Sequence, residues 1–188
     1  MNAMTWWDHE TDSTWSQPWG RAIRGPLKGV ELNLLPLQLT TWGSWMQDHP
    51  ETLVMTNDVE QLILGFRPRF SSDFVIGLIL AGNEKAYYFE DAQRAGVIND
   101  WIGEVPVLLW AGEDTWYAYI RQVDDQAPTF LEEGSYIFDQ ETGSRWDIIR
   151  GLAVDGPMQG KSLLAVPSLS SFDWAYRDFY PEGEIYQP

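Results

Sequence analysis

The sequence contains no cysteine. Disulfides, thiolate nucleophiles and zinc–thiolate centres are all excluded by that one absence. There are only two histidines, His9 and His49, and a protein metal site normally needs about three or four ligands. Basic residues are scarce as well: 12 Lys and Arg stand against 28 Asp and Glu, a formal charge of −16. A chain of that charge offers no basic face, so neither nucleic acid nor an anionic membrane surface is expected as a partner. No apolar run approaches the roughly 18 residues of a membrane span, and Val75 to Leu80 is far too short. The opening MNAMTWWDHE has no basic stretch followed by an apolar one, so no signal peptide is expected and the location reads as cytoplasmic. G-x-S-x-G, P-loop, G-x-G-x-x-G and H-E-x-x-H motifs are all absent.

What remains is a chain of 188 residues, 44% apolar and 21% charged, with 11 tryptophans. Such a chain can bury a core. Its strongest feature is an internal duplication. Laid over each other without a gap, segments 8–55 and 139–186 share Asp8/Asp139, Glu10/Glu141, Thr11/Thr142, Ser13/Ser144, Trp15/Trp146, Gly20/Gly151 and Ala22/Ala153. The series continues through Gly25/Gly156, Pro26/Pro157, Gly29/Gly160, Leu32/Leu163, Pro36/Pro167, Pro50/Pro181 and Glu51/Glu182. Turn residues and large apolar residues coincide, as two copies of one fold require.

The local pattern of each copy predicts short strands, one helix, then a strand. Asp8 to Ser13 and Asp139 to Ser144 read as hairpin connections, with Asp12 and Gly143 where a left-handed residue fits. Gly25-Pro-Leu-Lys-Gly29 and Gly156-Pro-Met-Gln-Gly160 read as turns. Strands are expected at 32–35 and 163–166. A helix with Trp42, Trp45 and Met46 on one face follows, and in the second copy one with Phe172, Ala175, Tyr176 and Phe179, opened by a Ser170/Asp173 capping box. Leu53-Val-Met and Glu184-Ile-Tyr are expected as closing strands. Between the copies, 56–73 reads as a linker, 74–88 as a hairpin around Ala81-Gly-Asn83, 90–95 as a short helix, and 105–110, 116–123 and 130–138 as strands.

The segments WWDHETDSTWSQPWGRAIRGPLKG, continuing through LLPLQLTTWGSWMQDHPETLV, then FVIGLILAGNEKAYYFEDAQRAGVINDWIGEVPVLL, and DQETGSRWDIIRGLAVDGPMQG with the closing helix, together cover most of residues 6–187. This combination resembles the bacterial and archaeal family called domain of unknown function 3179. The resemblance implies two full copies, the first carrying a His-containing segment and a C-P-x-C-type motif suited to a metal or redox site, and frequent export. This chain has no such motif; the corresponding stretch Ala92 to Leu109 holds neither Cys nor His. A shortened member is expected, with no metal and no cofactor.

Candidate site residues follow from the acids and aromatics. Asp8 with Glu10, and Asp139 with Glu141, recur at matching places; paired carboxylates about 5–9 Å apart can hydrolyse glycosides, but short acids in hairpin loops more often bond local amides. Trp6, Trp7, Trp19 and His49 are candidates for ligand contact, while Trp15 and Trp146 read as core anchors. The expected architecture is α+β and β-rich: internally duplicated antiparallel β modules, each with one short helix near its end. Residues 1–55 form the back half of a first repeat and 74–188 a complete second one. The half-repeat should lean on a homodimer partner or on a separately encoded polypeptide that supplies the missing half. The function expected is a non-enzymatic binding or assembly module, with a carbohydrate-binding or glycoside-hydrolysing protein as the alternative.

Overall fold

The structure is a computed structural model that describes residues 4–36, 41–54, 72–113 and 115–188. The linker expected over 56–73 lies almost wholly outside the described residues. In chain order the elements are β1 (Thr5–Trp7), β2 (Thr14–Ser16), β3 (Arg21–Arg24), α1 (Trp42–Asp48), β4 (Phe74–Leu80), β5 (Asn83–Tyr88) and α2 (Phe89–Ala95). They continue with β6 (Val97–Ile102), β7 (Val105–Ala111), β8 (Trp116–Ile120), β9 (Phe130–Glu133), β10 (Tyr136–Asp139), β11 (Arg145–Asp147) and β12 (Leu152–Asp155). The last are β13 (Leu164–Ala165), β14 (Ser168–Phe172), α3 (Asp173–Phe179) and β15 (Glu184–Ile185). The fold is α+β and β-rich, built of small, mainly antiparallel sheets with short helices.

Three four-stranded sheets stack in the C-terminal part, ordered β14-β4-β5-β15, β13-β8-β7-β6 and β12-β11-β10-β9. The middle sheet is covered on both faces, and its sequence says why. β7 reads Val-Pro-Val-Leu-Leu-Trp-Ala, an apolar run without polar alternation, the signature of a strand buried on both sides. Val107, Leu109 and Ala111 face a core shared with Ile76, Leu78, Tyr87 and Phe89. Leu108, with Tyr117 and Tyr119 of β8, faces a second core shared with Phe130, Ile137, Trp146 and Leu163. The outer face of the β4–β5 pair is closed by Tyr176 of α3, against Val75 and Ala86.

The β4–β5 turn is tighter than expected. Ala81 and Gly82 both have positive φ, at 51° and 78°, and Asn83 already belongs to β5. That is the mirror-image geometry that matches strand twist.

Several elements differ from expectation for identifiable reasons. The stretch 130–138 is a hairpin, β9 turning into β10 at Gly134 (φ 64°), and not one strand. Residues 97–102 form β6, and 168–172 form β14, paired with β4. That places Ser170 inside a strand; the residue before α3 is Phe172, with no side-chain cap, so the expected capping box does not form. Residues 32–35 and 53–54 are not strands. Their counterparts β13 and β15 pair with β8 and β5, and short strands need such neighbours to exist.

β1–β3 and β10–β12 otherwise agree position by position. Both meanders have a register shift just before the tryptophan, at Thr14/Trp15 and Arg145/Trp146. Isolated bridges join Arg21 to Glu31 and Leu152 to Ser162. Asp12 and Gly143 both take positive φ, 57° and 68°. α1 and α3 have the same length and equivalent limits. The N-terminal meander meets the rest through Trp19, whose Nε1 donates to the Phe179 carbonyl at 3.2 Å, and through Tyr180, whose hydroxyl donates to the Pro18 carbonyl at 3.0 Å.

Gly156 sits at φ 90°, and a Cβ there would fall 2.7 Å from Ser144 Cα. Gly160 has φ 85° but open space around it. Gly156→Ala should therefore lower unfolding free energy by at least about 2 kcal/mol, and Gly160→Ala by only about 1. Urea unfolding of both variants checks the order.

Candidate functional site

The recurring acids sit at the start of each hairpin connection. Asp139 Oδ1 accepts the Thr142 amide at 2.6 Å and the Thr142 hydroxyl at 2.7 Å, and Oδ2 accepts the Trp146 indole N–H at 3.0 Å. Ser144 Oγ, 2.6 Å from the Thr142 hydroxyl, accepts the Met158 amide at 2.9 Å and so ties the hairpin to the following turn. Asp8 repeats the arrangement. It accepts the Thr11 amide at 2.6 Å, the Thr11 hydroxyl at 2.8 Å and the Trp15 indole at 2.8 Å, while Ser13 Oγ accepts the Leu27 amide at 3.1 Å. The D-x-E-T-x-S-x-W pattern is thus a clip of side-chain hydrogen bonds. Each of its polar residues but the glutamate is a member.

The electrostatics agree. Burial pushes the Asp139 carboxyl upward, but hydrogen bonds from Thr142, Trp146 and Ser144 outweigh it and hold the group below its ordinary range. At Asp8 the Trp15 indole, then the Thr11 amide, lead in lowering it. Both are ionised acceptors with their oxygens engaged. Glu141 is exposed and accepts the Thr129 amide at 2.8 Å; Glu10, also exposed, stands at the equivalent place. The two clips belong to different sheets.

The four candidate contact residues separate. Trp6 and Trp7 are both exposed on β1, although adjacent strand residues point to opposite faces; Trp7 packs edge-on against His9 at 4.4 Å between ring centroids. With Asp8, Glu10 and Trp15 they line a groove of about 390 Å³ floored by Leu27 and Leu32. Trp19 is engaged in structure: its ring meets Phe179 edge-on at 5.0 Å and carries the Arg21 guanidinium at 4.7 Å. His49 lies just beyond α1, its ring tilted by 32° against that of Trp45 with centroids 4.0 Å apart. It borders a second cavity of about 520 Å³ shared with Tyr117 and Tyr119. Trp15 and Trp146 are buried, as core anchors should be.

One polar cluster was not expected from the sequence. Lys85 Nζ lies 2.8 Å from Asp100 and 3.6 Å from Glu184, and the Tyr87 hydroxyl donates to Asp100 at 2.9 Å. Burial, then the Asp100 charge, drives the Tyr87 hydroxyl strongly upward, so it stays a donor. Beside it Asn99 exchanges two hydrogen bonds with the Phe130 backbone, both 2.8 Å, fastening β9 to β6. The available signal was Lys85-Ala-Tyr87 and Asn99-Asp100 on adjacent strands. Among the described residues no three His, Cys, Asp or Glu side chains converge as metal ligands, and no helix is long and apolar enough to cross a membrane.

Asp139→Asn keeps one acceptor oxygen but turns an amide toward a donor. It should cost about 2–3 kcal/mol near neutral pH. Because the folded carboxyl titrates below its unfolded value, its contribution is complete above about pH 4 and fades as pH falls through the folded value. The gap between wild type and variant should therefore narrow at about pH 3, which urea unfolding at both pH values will report.

No curated protein and no solved structure matches the chain. The family described as "Protein of unknown function (DUF3179)" matches residues 1–62 and 68–183. With nearly the whole length matched, the chain belongs to the DUF3179 family.

Proposed function

We propose that this protein is a non-enzymatic assembly module made of one and a half tandem repeats. Residues 74–188 form a complete repeat, and residues 1–55 form a back half whose apolar face is completed by another polypeptide. The observation that carries this reading is a contrast in burial between equivalent positions. Leu163 is 7% exposed and Leu32 51%; Val166 is 3% exposed and Leu35 72%; Ile137 is 4% exposed and Trp6 44%.

In the complete repeat these side chains lie against β7, β8 and β9, which belong to its front half. Among the described residues the N-terminal set is covered only in part: Trp6 and Leu32 border a cavity of about 510 Å³ whose far wall is Ile79, Leu80, Pro167 and Leu169, and both stay about half exposed. Burying one such side chain is worth about 1.5–3 kcal/mol, so the open face favours association. Gly20 supports the same reading. Its counterpart Gly151 has the Tyr119 ring where a Cβ would stand, whereas Gly20 has only Leu32 nearby, at 3.9 Å. An aromatic from a front half would fit there.

A sugar-binding reading draws on exposed tryptophans such as Trp6 and Trp7 and not on the paired acids, since Asp8 and Asp139 spend their oxygens inside the clips. Among the described residues no three His, Cys, Asp or Glu side chains converge as metal ligands, and the sequence holds no cysteine.

The test is photo-crosslinking in the source cells from positions 35 and 53, with position 172 as an exposed apolar control. One and the same polypeptide should be captured from 35 and 53, lost when Leu32→Glu is added, and absent from 172. No adduct from either position would overturn the reading. A glycan-array signal lost in Trp6→Ala would transfer it to sugar recognition.

A further inference from the structure

We propose that the open edge of β1 and the groove beside Trp15 receive an antiparallel strand from a partner polypeptide, with an aromatic residue seated on Trp15. The proposal rests on the assembly reading and specifies where and how docking begins.

The occupied version of this site is visible in the same molecule. β9 lies along the outer edge of β10, with Phe130 opposite Asp139, Leu131 opposite Phe138, Glu132 opposite Ile137 and Glu133 opposite Tyr136. Phe130 packs edge-on against Trp146 at 5.4 Å and is 1% exposed. Just before it, the Thr129 amide donates to Glu141 at 2.8 Å, and the Thr129 carbonyl accepts the Gln140 amide at 2.7 Å.

In the N-terminal meander β1 pairs only with β2 among the described residues. The groove lies where Phe130 would sit: Trp6, Asp8, Trp15, Leu27 and Leu32 stand for Ile137, Asp139, Trp146, Met158 and Leu163. His9 and Glu10 stand for Gln140 and Glu141, ready to fix the residue before the aromatic. The Asp8 amide donates inward to Ser13 at 3.0 Å, so by strand alternation the amides of Thr5 and Trp7 face the open edge. Main-chain bonds would give affinity and the groove would give selectivity for the aromatic, the usual logic of strand addition.

A second copy of this chain is a poor donor. Its own β9 is already clamped between β10 and Asn99, and its phenylalanine is buried. Two chains of charge −16 also repel. The occupant we assign is an extended segment of a partner polypeptide, of the pattern polar–aromatic–apolar–polar that Thr129, Phe130, Leu131 and Glu132 show at the occupied site.

The experiment titrates the 188-residue chain with a synthetic peptide of the sequence of residues 126–134, QAPTFLEEG, which contains no tryptophan. Intrinsic fluorescence should change saturably, and hydrogen exchange should slow at the Thr5 and Trp7 amides. Replacing the peptide's phenylalanine with alanine should weaken binding by about tenfold or more. Thr5→Pro removes an outward amide at the first residue of an edge strand, where proline is tolerated, and Thr5 does not line the groove; it should weaken binding by about tenfold while leaving the unfolding midpoint unchanged. No saturable change at millimolar peptide, equal binding of the alanine peptide, or protection mapping away from β1 would each overturn the proposal. If crosslinks from position 35 persist while the peptide fails, the assembly reading stands and only the strand-receiving site falls.

Discussion

A β-meander with one apolar face must lay that face against something, and this requirement organises the whole molecule. In the C-terminal part it is met by stacking: β10–β12 lie on the sheet of β7 and β8, whose other face lies on β4 and β5, whose far side is closed by α3. Each layer supplies the surface the next one needs. Two aromatic side chains at the second interface, Tyr119 and Phe130, do much of the filling; the Tyr119 hydroxyl also donates to the carbonyls of Ile148 and Ile149 at 2.7 and 3.0 Å. Remove the middle sheet and the meander would keep its hydrogen bonds but lose its floor. The N-terminal meander stands in that condition among the described residues, and the exposure of Leu32 and Leu35 follows from it directly.

That the N-terminal meander is nevertheless formed has a local cause. The clip of Asp8, Thr11, Ser13 and Trp15 bonds a carboxylate to an amide, a hydroxyl and an indole within eight residues of chain. It fixes the hairpin connection without help from neighbouring layers. Gly25 then brings the next turn onto Ser13, so closely that any Cβ would fall 2.6 Å from Ser13 Cα. Local hydrogen bonding specifies the shape, and burial by other layers supplies the stability. The two meanders separate these contributions because they share the first and differ in the second.

The same distinction explains what the amino-acid pattern disclosed. The hairpin connections, the Gly-Pro turns, both helices and the anchoring role of Trp15 and Trp146 are specified by residues close in sequence, and pattern reading finds them. What escaped depends on distant partners. Residues 32–35 carry the same apolar signal as 163–166, yet only the latter extend into a paired strand, because β8 lies beside them. β14 contains Ser168, Ser170 and Ser171, a composition that suggests a helix cap; pairing with β4 overrides it. β9 and β10 merged into one expected strand because Glu132-Glu-Gly-Ser135 is a modest turn signal between apolar runs. The Lys85–Asp100–Tyr87 cluster needed the β5–β6 juxtaposition before its members could be seen as one group. Trp19, a contact candidate by sequence, packs against Phe179, 160 residues away.

Charge has a part in this arrangement that composition alone would not suggest. An exposed edge strand bearing Trp6 and Trp7, next to a leucine-rich face, is a template for non-specific pairing. Proteins that keep such an edge need some means of holding copies apart. Here Asp8, Glu10 and Asp12 crowd the end of β1, Glu31 lies exposed beyond β3, and the chain as a whole carries −16. Like charge raises the cost of bringing two open faces together without affecting a partner of lower or opposite charge. An acidic balance that first reads only as exclusion of nucleic acid also raises, at this edge, the cost of bringing two copies of the chain together. The apolar side chains left exposed on this face favour burial, and the carboxylates around them oppose burial against a second, equally acidic copy.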